Sequence, residues 1–120
     1  MTDKSAIEPR FARIWRGRTT REKADAYQAY WLANGIAPLE KKGALGIEML
    51  REDRDTETEF VTISYWPDIA AMTGGSDADP TSTHHLERDP EFLIELPQCV
   101  QVLTILETRG RRTIGAEADE

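Results

Sequence analysis

The chain is poor in the residues that most often carry chemistry. Its 120 residues include one cysteine, Cys99, and two histidines, His84 and His85. A lone cysteine excludes an intrachain disulfide, and with Val100 and Val102 beside it a buried, structural thiol is expected. Zinc needs three or four convergent ligands, and no further His or Cys cluster exists, so no metal centre is expected. GxGxxG, P-loop, nucleophile-elbow and zinc-helix patterns are all missing. Flavin or nicotinamide chemistry therefore has no support, and no cofactor is expected. No apolar run approaches a membrane span. The stretch Met1–Arg10 is polar and carries no apolar signal core, so a reducing cytoplasm is the expected location. Positive charge is also in deficit. Fifteen Lys and Arg against 22 Asp and Glu leave a net charge of −7, which argues against nucleic acid and anionic membranes as partners.

What remains is the composition of an ordinary globular protein, 39% hydrophobic and 31% charged, in a length that fits one domain. We expect a flexible N-terminal segment over 1–9, a domain over 10–108 and a disordered tail over 109–120.

Periodicity gives the elements. Over Arg10–Arg18, Phe11, Arg13 and Trp15 alternate with Ala12, Ile14 and Arg16, as a strand requires. Thr19 followed by Glu22 has capping-box spacing and predicts a helix start. Ala24, Tyr27 and Trp31 recur at helical spacing as its buried stripe. Asn34-Gly35 predicts its stop, and Pro38 limits continuation. Leu45, Ile47 and Met49 alternate as a second strand, the polar run Glu52–Glu57 reads as a hairpin loop, and Phe60–Trp66 as a third strand. Asp68 is placed to cap a short helix through Met72, closed by Gly74-Gly75. Asp79-Pro80 predicts a helix over Thr81–Arg88, and Asp89-Pro90 a further turn over Glu91–Leu96. Cys99–Glu107 reads as the last strand. The order β-α-β-β-α-β predicts an α+β, ferredoxin-like antiparallel sheet with helices on one face.

Both faces of that sheet carry apolar residues. Phe60 and Trp66 oppose Val61, Ile63 and Tyr65 in the third strand, and Val100, Val102 and Leu106 oppose Cys99, Leu103 and Ile105 in the last. An uncovered apolar face is rare in monomers, so a two-fold homodimer burying sheet against sheet is expected.

The sequence resembles the antibiotic-biosynthesis-monooxygenase-like family of the dimeric α/β-barrel superfamily. The resemblance rests on FARIWRGRT leading into a helix, the KKGALG turn, the FVTISYWPDIAAM strand-to-helix junction and a final strand after LPQC. The family includes cofactor-free oxygenases acting on polycyclic phenols and quinones, haem-degrading enzymes, and many members with no established reaction. It implies a pocket between helices and sheet. Trp66 matches the tryptophan ending the third strand, which in haem-degrading relatives presses on the macrocycle. Those relatives also need an asparagine in the first strand, and Arg10–Arg18 has none, which argues against haem degradation. Their axial histidine lies in the second main helix, the region of His84 and His85.

These considerations nominate Trp66 with His84 or His85 as catalytic residues. A histidine there would act as general base on a phenol; otherwise the two are a solvated pair, with His85 meeting Asp89. Trp15, Tyr27, Trp31, Thr62 and Ser64 are nominated to line a pocket for a flat ligand, against the plainer alternative that the aromatics are core. Arg13 and Arg16, in a central strand, read as members of structural ion pairs, the alternative being contact with an anionic ligand. The function so implied is a cofactor-independent monooxygenase or related enzyme acting on a small aromatic or quinone-like compound. The alternative is a non-catalytic ligand-binding or stress-related barrel protein.

Overall fold

The computed structural model describes residues 8–110. Most of the segment expected to be flexible, 1–9, and of the tail, 109–120, lies outside the described residues. Eight elements follow one another: β1 (Phe11–Thr20), α1 (Arg21–Asn34), α2 (Ala37–Lys42), β2 (Gly46–Asp53), β3 (Glu57–Trp66), α3 (Ile69–Met72), α4 (Asp89–Phe92) and β4 (Gln101–Thr104). The strands form one antiparallel sheet in the order β2-β3-β1-β4. This is the ferredoxin-like arrangement, with β1 and β3 at the centre.

Register decides which residues share a face. Trp15 lies opposite Thr62, Arg13 opposite Ser64, Gly17 opposite Phe60, and Met49 opposite Thr62 from the other side. All of these point toward α1. Its stripe of Ala24, Tyr27 and Trp31 is buried against Phe60 and Leu93, and this cluster is the core. Trp31 and Tyr27 each meet the Phe60 ring edge-on at 5.1 Å, a geometry that adds attraction beyond burial. The opposite face carries Ile14, Val61 and Ile63, half-buried, with Leu50 and Leu103 47% and 44% exposed.

Several local expectations give way to tertiary structure. The capping box does not form. Thr19 is fully buried within β1 and its Oγ1 donates to the Thr20 carbonyl at 2.8 Å, while Thr20, the actual N-cap, makes no side-chain cap bond. The first helix does end at Asn34, before Pro38, which also sits in the first turn of α2, where its missing N–H costs nothing. Half of the polar run 52–57 is strand, since β2 runs through Asp53 and β3 begins at Glu57. Its charges pair across the hairpin, Arg54 with Glu52 and Glu59, leaving only a tight turn closed by Arg54 N–H to Glu57 O at 2.8 Å. Asp68 does cap α3, accepting from Ala71 N at 2.9 Å.

The expected helix over 81–88 is irregular chain. Its carbonyls are taken by other partners. Pro80 O and Ser82 O accept from the Arg13 guanidinium, and Thr81 O accepts from Val100 N. Asp79 ties the same residues into a turn, its carboxylate accepting from Thr81 N and Thr81 Oγ1, the side-chain competition that disfavours helix at such residues. The expected turn over 91–96 is confined to α4, and the last strand is shorter than expected, with Cys99 only bridging Ser82. Cys99 is exposed, not buried; it is Val100 that turns inward.

Candidate active site

A cavity of about 300 Å³ lies between the sheet and the helices. Its floor is the sheet, through Arg13 and Trp15 of β1 and Thr62 and Ser64 of β3. Tyr27 and Trp31 of α1 form one wall, and Pro38, Leu39 and Lys42 of α2 another. The irregular segment Thr83–Leu86, with Asp89, closes the remaining side. The strand alternation and the helical stripe thus project onto one space, as period two and period 3.6 require when a helix lies on a sheet.

The walls are aromatic. The Trp15 and Trp31 rings stand 6.0 Å apart at a 35° tilt, and Tyr27 stacks on Trp31 at 6.1 Å. The polar groups are few. Asp89 is 2% exposed, and both its oxygens are engaged: Oδ1 accepts from the Tyr27 hydroxyl at 3.0 Å and Oδ2 from Leu86 N at 2.9 Å. Burial pushes the Asp89 carboxyl above the ordinary carboxylate range, against the Leu86 and Tyr27 hydrogen bonds and the charge of His85, which draw it back. Burial, with Asp89 beside it, also pushes the Tyr27 phenol well up. Arg13 donates through Nε to Pro80 O at 3.3 Å and through Nη2 to Ser82 O at 2.7 Å, and burial lowers its pKa.

The structure brings together all five nominated pocket residues, Trp15, Tyr27, Trp31, Thr62 and Ser64, with His84 and His85. Both histidines lie in irregular chain with exposed side chains, so they flank the cavity at its solvent edge. Trp66 is not part of the lining. It is fully buried and its Nε1 donates to Ser64 Oγ at 2.8 Å, so it bears on the cavity only through that serine. Arg16 forms an ion pair, 3.9 Å from Glu59, but no carboxylate pairs with Arg13 among the described residues. Instead Arg13 holds backbone carbonyls and faces the cavity. Asp89 had no sequence signal of its own. Asp-Pro reads as a helix start, and only the need of a buried Tyr27 hydroxyl for a partner pointed to an inward acceptor. Among the described residues, no three His, Cys, Asp or Glu side chains converge as a metal site would require.

No protein-family model matches the chain, and no curated protein is similar to it. Solved structures are. One is a Bacillus cereus protein provisionally described as an antibiotic biosynthesis monooxygenase. It superposes with a TM-score of 0.60 over 87% of this chain and 100% of its own, at 12% identity. The chain shares the ferredoxin-like fold of that protein. PA3566 of Pseudomonas aeruginosa also matches, with a TM-score of 0.52 over 86% of this chain and 98% of its own, at 16% identity. The cavity lies between the sheet and helices α1 and α2. Among the described residues no helix is long and apolar enough to cross a membrane.

Proposed function

We propose that the chain is a cofactor-independent oxygenase, or a related enzyme, acting on a small aromatic compound held in this cavity. The observation that carries the reading is the conjunction of aromatic walls with three proton acceptors, His84, His85 and Asp89, on one space. Its volume is near the lower end of ligand pockets, roughly 300–1,000 Å³, which suits one or two fused rings better than a large polycycle. A phenol is the simplest substrate class. The base takes the phenolic proton, the electron-rich ring carbon adds dioxygen, and the O–O bond breaks as the carbon loses its proton. One oxygen stays as the second quinone carbonyl and the other leaves as water, with the substrate supplying all four electrons. The protein contributes a base, a fixed orientation and a partly dry pocket.

The test is oxygen uptake with 1-naphthol. The expected result is one dioxygen consumed per 1,4-naphthoquinone formed, with turnover falling about 10²–10⁴-fold on replacing the base and the melting temperature unchanged in His84→Ala or His85→Ala. Binding without turnover would favour the second reading, a non-catalytic aromatic-binding protein. Two observations support that alternative: the exposure of both histidines and the absence of Trp66 from the lining.

We further propose that the chain acts as a homodimer through the open sheet face. Ile14, Val61, Ile63, Leu50 and Leu103 there form an apolar field bordered by Arg16, Arg18 and Glu59. The cytoplasm remains the proposed location, and no nucleic acid or membrane partner is proposed.

A further inference from the structure

The cavity carries an excess of positive charge that this acidic chain does not neutralise. Two cations, Arg13 and Lys42, share its lining with one carboxylate, Asp89. Neither cation pairs with an acid among the described residues, whereas Arg16, Arg18, Arg51, Arg54 and Arg88 each meet a carboxylate within 3.9 Å or less. Asp89 does not pair with Arg13: its oxygens accept from Tyr27 and Leu86, and the Arg13 guanidinium donates to Pro80 O and Ser82 O instead. Arg13 is the cation that burial most disturbs, for it sits on the floor beside Trp15 and its pKa is drawn down by desolvation. It spends one N–H on Pro80 O and one on Ser82 O. A guanidinium has five N–H donors, so the Nη1 side is left to serve whatever enters. A half-buried cation without a counter-charge is unfavourable, and an incoming anion relieves it.

We propose that the cavity takes a flat aromatic carboxylate, its ring against Trp15 and Trp31 and its acid group on Arg13. This rests on the reading of the cavity as an aromatic-ligand site and narrows its phenols to those that also carry a carboxylate. A planar fork of N–H donors matches a carboxylate in two-point contact. Ser64 stands opposite Arg13 in the strand register and Thr62 opposite Trp15, so one hydroxyl lies beside the acid position and the other beside the ring. Lys42, on the exposed side of the cavity, adds attraction for an entering anion.

Calorimetric titration of 1-naphthoate and 1-naphthamide tests the assignment, because the two share size and rings and differ in charge. The acid should bind about tenfold or more tightly than the amide, as expected of a charge-assisted contact. Arg13→Gln should abolish that preference, and Arg13→Lys should keep part of it. Equal binding of acid and amide by the unsubstituted protein overturns the role of Arg13 and leaves the aromatic site standing. Binding of neither overturns both. A preference that survives in Arg13→Gln also overturns it. Should loss of the Pro80 and Ser82 contacts unfold Arg13→Gln, Lys42→Gln decides: a preference kept in that variant lies with Arg13, and one lost there overturns the assignment.

Discussion

Among the described residues Asp89 is the only buried carboxylate, and it is held by a phenol, a backbone N–H and the charge of His85. Burial outweighs those partners and raises its pKa, so the native state keeps the proton that the unfolded chain gives up more readily. Stability from this group is therefore full at low pH. It is lost as pH rises from about 4, the ordinary aspartate value, through the raised native value. Asp53, Asp79 and Glu91 are shifted the other way, by Arg51, Thr81 and Arg88 respectively, and give the opposite slope. The informative quantity is thus a difference. The melting temperature of Asp89→Asn relative to the unsubstituted protein should rise across that interval, and a constant difference would refute the raised pKa. Tyr27→Phe removes the donor to Oδ1 and should cost about 1–3 kcal/mol, read as a lower denaturant midpoint at unchanged slope.

At the scale of elements, β1 is built around one close approach. A Cβ added at Gly17 would stand 2.5 Å from Trp15 Cη2 and 2.9 Å from Cζ2. Gly17→Ala should therefore displace the indole, costing about 1–3 kcal/mol as overpacked cores do. Because Trp15 lines the cavity, 1-naphthamide affinity should fall in the same variant; a stable Gly17→Ala with normal affinity would contradict this packing. The elements that were legible in the sequence are those whose pattern is local. Ala24, Tyr27 and Trp31 announce α1, and Phe60, Thr62 and Ser64 announce both β3 and the pocket face. Segment 81–88 was not legible. Asp79-Pro80 is a sound helix start, but Arg13 and Val100, more than 60 and about 20 positions away in the chain, capture the carbonyls that a helix would use. Trp66 shared the alternation of β3, yet whether a strand-end indole meets a cavity or another side chain depends on packing that periodicity does not encode. Arg13 shares the face of Trp15 by alternation; only the folded chain shows that no acid among the described residues comes to it.

For the molecule as a whole, the open sheet face makes the oligomeric state the first measurement. Sedimentation should give twice the 13.6 kDa chain mass, and a monomer at micromolar concentration would refute the proposed dimer. Ile63 is half-buried on that face within one chain, so Ile63→Lys should yield a folded monomer because a lone charge is not tolerated in an apolar interface. The cavity, for its part, has two unlike halves. Floor and one wall belong to the paired strands β1 and β3 and to the 14-residue helix α1; the side formed by 79–88 is irregular chain tied by two Arg13 hydrogen bonds, the Val100 amide, the Asp79 turn and the amides of Leu86 and Arg88, which donate to Asp89 and Tyr30. Backbone amides in the two halves should accordingly trade hydrogen for deuterium on separate timescales, fast over 83–85 and slow over β1 and β3. A ligand spanning both halves would slow the fast set and leave the slow set unaltered. The order in which amides become protected then records the route by which a molecule enters, through the side that opens while the sheet stays closed.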